Sequence, residues 1–278
     1  MLIEKVEISH PEKIMIPDLN VTKQEIAEYY AFIAENMLPY IKNRALSLKQ
    51  YPAGISREGF FHKHAAEFYP EYIKRFTFPT PVHGNIEMVG VDSARGLVYL
   101  AGQNTIELHM ALATMRTVNK PDQIIFDLDP SDNDFSKVRT VALIIKEILD
   151  QHKLKSLLKT TGSRGLHIHI PLKPKLEYDE VKPITKQLAA YVQEQCPEIA
   201  TIEHRKAKRG TRVFIDYLRN DYTATAVAPY SLRANKWGGI ATPISWDELK
   251  NNNDLTPYKY NIRNIEQRIK TTKNPWLD

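Results

Sequence analysis

The sequence predicts an α+β protein built on a largely antiparallel sheet, and three observations carry that expectation. Residues 105–112, 123–130, 166–171 and 213–218 alternate apolar and polar side chains with the period of two that a half-buried strand needs. Other stretches place apolar residues at helical spacing behind a capping signal, most clearly after Thr22 and after Asp134. Residues 154–171 read as a strand, a tight glycine turn and a second strand.

At 278 residues the chain is long enough for one large domain or two. Lys and Arg exceed Asp and Glu by 38 to 33, a modest excess whose placement matters more than its size. Cys196 is the single cysteine, which fits a reducing compartment. The first residues lack a signal-peptide apolar core and no later run reaches membrane-spanning length, so a cytoplasmic protein is expected. Repeats, low-complexity tracts and Gly/Ser linkers are lacking, which predicts lobes packed together.

In chain order, residues 3–8 predict a short strand. Thr22-Lys23-Gln24-Glu25 is a capping box opening a helix with Ile26, Tyr29, Tyr30, Ile33 and Met37 on one face and Pro39 as its stop. Lys13 and Lys23 flank its start and, taken singly, read as solvated lysines. Residues 44–84 read as irregular. They mix Lys49 and Tyr51 with Gly59-Phe60-Phe61-His62-Lys63-His64, aromatic and basic groups of the kind that hold single-stranded nucleic acid. Core packing of Phe60 and Phe61 is the plainer reading of those residues alone. Residues 86–91 predict a strand, 92–102 fit a capped helix or a second strand with the helix preferred, and 105–112 predict a strand with His109 on its polar side.

Residues 123–130 put Asp127 and Asp129 on one strand face, with Phe126 and Leu128 on the other. Adjacent carboxylates repel unless a cation sits between them, and hard oxygen ligands suit Mg²⁺ or Mn²⁺. Taken alone, the pair is better read as a strand running into an acidic turn, and other residues must join it to decide otherwise. Asp132 and Asp134 then sit at a helix start, where the dipole favours negative charge. In Thr161-Gly162-Ser163-Arg164-Gly165-Leu166-His167 the glycines let backbone amides approach an anion, with a hydroxyl and a guanidinium in the same turn. His167 and His169 face away from Leu166, Ile168 and Ile170. A helix is expected over 179–196 with Pro183 in its first turn. Arg205, Lys206, Lys208, Arg209 and Arg212 follow, and a strand at 213–218 carries Asp216 opposite Val213, Ile215 and Tyr217. Ser245 opens a second capping box before a polar tail. Three strand-borne aspartates could hold two metal ions for in-line displacement, while Arg164, His167 and His109 neutralise a triphosphate. The reaction these residues point to is nucleotidyl transfer.

The ordered motifs Ile125-Phe126-Asp127-Leu128-Asp129-Pro130, Thr161 to His167 and Val213-Phe214-Ile215-Asp216-Tyr217 resemble the polymerase domain of bacterial ligase D, in the archaeo-eukaryotic primase superfamily. Gly59 to His64, Ile106-Glu107-Leu108-His109, Val227 to Arg233 and Thr242 to Trp246 extend the resemblance over almost the whole chain. It implies a primase-polymerase fold in a single domain over 1–278. An RNA-recognition-like catalytic sheet would be flanked by helices, with an N-terminal lobe over about 1–90 and a catalytic core over about 91–278. It also implies a polymerase that extends or fills DNA ends in non-homologous end joining with two Mn²⁺ or Mg²⁺ ions, taking NTPs in preference to dNTPs. Asp127, Asp129 and Asp216 would then be metal ligands. His109, Ser163, Arg164, His167 and Arg233 would contact the nucleotide. Phe60 or Phe61 would stack near the template, with Lys49 and Lys63 near its backbone. Lys13 and Lys23 match a pocket for the 5′-phosphate of a DNA end or gap. The implied partners are a separate or fused DNA ligase and a Ku-type end-binding protein.

The sequence departs from that family's pattern in places. His10 stands where asparagine is common, Arg164 where lysine is frequent and Thr161 where serine is frequent. Arginine keeps the charge of lysine but changes its hydrogen-bond geometry. The ligase adenylation motif Lys-x-Asp-Gly is lacking, so nick sealing is not expected of this chain. A haloacid-dehalogenase-like phosphohydrolase also closes a strand with D-x-D but wants Thr or Val where Ser131 stands, and a DNA-end-binding module would use the carboxylates structurally.

Overall fold

The alternating stretches all form strands, which with others pair, among the described residues, into two six-stranded sheets and two short two-stranded ones. The computed structural model describes residues 1–80 and 84–277. Two units result, one of residues 1–118 and 225–240, the other of 119–224 and 241–278. The division therefore falls after residue 118 and not near 90. The strand at Thr105–Ala111, expected in the catalytic core, hydrogen-bonds instead to Leu46–Gln50 of the first unit.

The first unit contains β1 (Leu2–Ile3), β2 (Val6–Glu7), β3 (Ile14–Ile16), β4 (Val21–Thr22), α1 (Lys23–Ile41), β5 (Leu46–Gln50), β6 (Phe60–His62), β7 (Lys74–Thr80), β8 (Gly84–Gly90), α2 (Ala94–Gly102) and β9 (Thr105–Ala111). The single strand expected at 3–8 is a hairpin, because Glu4 and Lys5 take left-handed φ of 48° and 61°. Thr22 builds the expected capping box: its Oγ1 accepts from the Glu25 amide at 3.2 Å while Glu25 Oε2 accepts from the Thr22 amide at 2.7 Å. Pro39 lies inside the last turn of α1 and does not end it, since the Lys42 amide still reaches the Leu38 carbonyl at 2.9 Å. The stretch read as irregular, 44–84, supplies three strands of the first sheet, and its residues 81–83 lie outside the described residues. β5 pairs with β9 along one edge and with β8 and then β6 along the other, all antiparallel.

The second unit contains β10 (Gln123–Pro130), α3 (Phe135–Gln151), β11 (Leu157–Thr160), β12 (Leu166–Pro171), α4 (Tyr178–Gln195), β13 (Ala200–Thr201) and β14 (Val213–Asp216). The chain then lends β15 (Thr225–Val227) to the edge of β9 before adding β16 (Pro243–Ile244), α5 (Trp246–Asn251) and α6 (Ile265–Thr271). Sheet order is β13-β14-β10-β12-β11-β16, antiparallel except between β13 and β14. Ile124, Phe126 and Leu128 of β10 join Leu166, Ile168 and Ile170 of β12 in a core with Val138, Val141, Ile145 and Leu149 of α3 and Val181 and Val192 of α4. The opposite face of the same strands carries the aspartates and histidines. Asp134 caps α3 through the Ser136 amide at 2.9 Å. Pro183 is the sixth residue of α4 and so lies beyond its first turn, on the exposed side. Ser245 accepts from the Glu248 amide at 2.9 Å, but the Glu248 carboxylate serves Arg268 at 2.8 Å, so only half of the expected second capping box is built.

The tail is not merely polar. Trp276 is 9% exposed, meets the His169 ring at a tilt with centroids 4.7 Å apart, and donates from Nε1 to the Leu158 carbonyl at 2.8 Å. Trp276→Ala is expected to cost about 3–5 kcal/mol of stability, as for a buried large-to-small change. Urea unfolding measures it, and an unchanged midpoint would contradict this packing.

Candidate active site

In an antiparallel sheet, directly opposed residues share a face. β10 lies between β12 and β14, in a register that sets Asp127 opposite His167 on one side and opposite Asp216 on the other. His167 is in turn opposite Lys159 of β11. Lys159, His167, Asp127 and Asp216 therefore form one row across four strands. Asp129 lies two residues along the same face of β10, opposite Phe214.

Asp127, Asp216 and His167 are buried, and His167 Nε2 lies 3.2 Å from Asp127 Oδ1. Facing carboxylates at about 5 Å repel by a few kcal/mol at an effective dielectric of about 20. Arg219 relieves this repulsion, its Nε lying 3.3 Å from Asp216 Oδ2 and 3.7 Å from Asp127 Oδ2. Burial still holds the Asp216 carboxyl above the usual carboxylate range. Arg219 opposes that rise, while the charges of Asp127 and Asp129 add to it. Next to Arg219, Asn220 is locked to β10. Its Oδ1 accepts from the Ile125 amide at 2.8 Å, and its Nδ2 donates to the carbonyls of Ile125 at 2.7 Å and Tyr217 at 2.8 Å.

The glycine turn is built around Thr161. Its Oγ1 accepts from the amides of Ser163 at 3.3 Å and Gly165 at 3.1 Å, and donates to the Gly165 carbonyl at 3.1 Å. Gly162 has φ of 68°, and a Cβ on Gly165 would stand 1.9 Å from the Leu128 carbonyl oxygen. Both positions thus require glycine. Ser163 is half-buried and Arg164 exposed on this turn, which runs beside the aspartate-bearing strand.

The carboxylate donors suit a hard divalent cation, and two of them already draw in a guanidinium. Among the described residues, no group of three or more His, Cys, Asp or Glu is set to hold a metal ion as it stands. Arg219 lies against two of the three aspartates.

His109 and Arg233 lie in the first unit and share one carboxylate there. Glu107 Oε2 lies 2.9 Å from His109 Nε2 and accepts from Arg233 Nε at 3.1 Å, while Oε1 accepts from the Ala234 amide at 3.1 Å. Burial opposes ionisation of Glu107. The Arg233 charge and the His109 and Ala234 hydrogen bonds outweigh burial and bring the carboxyl down to about 2. The loop leading to Arg233 is held from α1 and β9. Tyr29 donates to the Tyr230 carbonyl at 2.6 Å, the Leu232 amide donates to Tyr30 Oη at 3.2 Å, and the Leu108 amide donates to Ser231 Oγ at 2.8 Å. These bonds support a left-handed Tyr230 with φ of 65°, a conformation costing about 1–3 kcal/mol.

Phe60 and Phe61 are 50% and 58% exposed, so neither is the core residue that the plainer reading made it. Phe61, Lys49 and Glu107 stand in register across β6, β5 and β9. Lys49 Nζ lies 5.5 Å from the Phe61 ring centre, and Phe61 meets His109 edge-on at 5.3 Å. Lys63 is half-buried just after β6. Lys23 is only 3% exposed and donates to Ser9 Oγ at 3.3 Å, while Lys13 donates to the Pro52 carbonyl. Burial lowers the Lys23 ammonium pKa, and the Lys13 charge lowers it further. Among the described residues, then, Lys23 is not the solvated lysine it seems when read singly. His10 is exposed and pairs with Glu12 at 3.8 Å.

Two residues of these clusters escaped the sequence reading as site residues. Glu107 had a signal, since it shares with His109 the polar side of an otherwise apolar strand. Arg219 had none, because it follows the end of β14 where no periodicity constrains its direction.

A sequence model described as the LigD primase-polymerase domain matches residues 22–276. The chain is 30% identical over 276 residues to the "Bifunctional non-homologous end joining protein LigD" of Bacillus subtilis, covering 99% of this chain and 44% of that protein. It is also 30% identical to the "Multifunctional non-homologous end joining protein LigD" of Pseudomonas aeruginosa, covering 98% of this chain and 32% of that protein. The chain thus spans less than half the length of these curated relatives. Among solved structures, the "Polymerase Domain from Mycobacterium tuberculosis Ligase D in complex with DNA" matches with a TM-score of 0.87 at 27% identity, covering 95% of this chain and 94% of that one.

An acid whose pKa rises on folding loses stability as pH climbs from its unfolded value, about 3.9 for Asp, through its folded one. Asp216→Asn removes that loss. At pH 8 it is expected to melt about 2–4 °C above the wild type, with the gap closing as pH falls towards 4. Calorimetry at both pH values checks it, and a lower melting point at pH 8 would contradict the charge balance of the row.

Proposed function

The chain belongs to the LigD primase-polymerase domain family, a family of DNA-directed nucleotidyltransferases, and from that premise we propose that it extends DNA ends during non-homologous end joining. The observation that carries this reading is the register of β10 and β14, with Asp127 opposite Asp216 and Asp129 on the same face. The reaction joins the 3′ oxygen of a primer to the α-phosphorus of a nucleoside triphosphate and releases pyrophosphate. Asp127, Asp129 and Asp216 would hold two Mg²⁺ or Mn²⁺ ions, which when bound neutralise charge on the attacking and leaving oxygens.

The remaining groups bind and orient. His167, at 3.2 Å from Asp127, presents a polar hydrogen next to the carboxylates. Arg164 and the Ser163 hydroxyl offer donors to phosphate oxygens from the glycine turn. In the first unit, His109 and Arg233 contact the nucleotide. Phe61, with Phe60 beside it, offers an exposed ring for a template base, and Lys49 and Lys63 offer cations for its backbone. Lys13 and Lys23 receive a 5′-phosphate. A buried ammonium already disfavoured by a neighbouring cation gains more from an arriving anion than a solvated one does. Preference for NTPs over dNTPs, partnership with a separate or fused ligase and a Ku-type protein, and a cytoplasmic location complete the proposal. Among the described residues no helix is long and apolar enough to cross a membrane.

Extension of a gapped primer–template with NTPs or dNTPs tests the reading. Asp127→Ala is expected to lower the rate by a hundredfold or more, on the order of one lost electrostatic contact, while leaving DNA binding intact. Full activity in that variant would remove the site assignment. Lys23→Ala is expected to abolish the preference for a 5′-phosphorylated gap in a gel-shift titration. Persistence of that preference would move the phosphate pocket elsewhere.

A further inference from the structure

We propose that Glu107 is the positioning residue of the nucleotide contacts in the first unit, one buried carboxylate setting both the His109 imidazole and the Arg233 guanidinium. The proposal rests on the reading of His109 and Arg233 as nucleotide contacts and goes beyond it by naming the group through which both are held. Glu107 lies in the middle of β9, 3% exposed, between the core residues Ile106 and Leu108. A carboxylate in that position is costly unless fully bonded. Here one oxygen, Oε2, meets both His109 Nε2 at 2.9 Å and Arg233 Nε at 3.1 Å, and the other takes the Ala234 amide at 3.1 Å.

The geometry has two consequences. An ionised carboxylate is acceptor-only, so the Nε2 of His109 carries the proton it offers to Glu107. Arg233 is fixed through Nε, which sets the plane of its guanidinium. His109 is also met edge-on by Phe61 at 5.3 Å, and Phe61 and Lys49 stand in the same cross-strand row as Glu107. The carboxylate therefore ties the orientation of the nucleotide contacts to the ring proposed to stack on the template.

Primer extension at varied nucleotide concentration tests this with Glu107→Gln, Glu107→Asp, His109→Ala and Arg233→Ala. It adds the double variant His109→Ala/Arg233→Ala, with and without Glu107→Gln. Glu107→Gln is expected to raise KM for the nucleotide about tenfold, the order of one charge-assisted hydrogen bond, with kcat held within about twofold. Glu107→Asp is expected to recover much of that loss. In the double-variant background, Glu107→Gln is expected to add less than about twofold, because its partners are gone.

If His109→Ala and Arg233→Ala leave KM unchanged, their reading as nucleotide contacts fails. If those two raise KM and Glu107→Gln does not, the positioning role alone is overturned. A further loss on adding Glu107→Gln to the double variant also overturns it. That comparison decides the matter even if Glu107→Gln alone does not fold, since no basic partner then remains to be left unpaired.

Discussion

The antiparallel register of β10 with its two neighbours is the constraint on which the second unit depends. Strand pairing fixes side chains in rows, and a slip of one residue would turn Asp127 and Asp129 into the core and Phe126 and Leu128 out of it. The apolar set Ile124, Phe126 and Leu128, packed on α3 and α4, therefore selects the register. The chemistry on the other face follows from that choice. Gly165 adds a second lock, since only a residue without Cβ lets β12 begin so close to the Leu128 carbonyl. Asn220 adds a third by bonding both backbone groups of Ile125.

Much of this was legible from alternation alone. The faces of 123–130, 166–171 and 213–216 each read correctly because one side is apolar enough to demand burial. Which strand lies beside which was not legible, because pairing joins segments far apart in the chain and leaves no local trace. The strands between 44 and 84 went unread for a related reason. β6 is a short strand with two exposed phenylalanines, so it lacks the apolar side that makes a strand visible. The turn at Glu4 and Lys5 lacks the glycine or asparagine that marks left-handed backbone. Trp276 was passed over because an isolated aromatic in a polar tail has no periodic partners to announce its burial.

The extended first sheet corrects the expected division at residue 90 for the same reason. Assigning β9 by sequence order places it with the strands that follow. Its hydrogen bonds go to β5 and β15, so the chain must return from the second unit to complete the first. That return also brings Arg233 to Glu107. The sheet topology thus joins residues 107 and 233, which no local motif links.

The two clusters handle buried carboxylates in opposite ways, and the difference bears on their roles. Glu107 meets a cation, an imidazole and a backbone amide, and its carboxyl is brought down to about 2. Its interactions are complete within the protein, as suits a group that orients others. Asp216 is held high by burial and by two neighbouring carboxylates, with a half-exposed arginine as partial compensation. A group left with unfavourable charge gains affinity for an arriving cation in proportion to the repulsion that cation relieves. Strand pairing thus sets Asp127 and Asp216 face to face, whereas the ion pair of Glu107 is completed by Arg233 from the segment after β15.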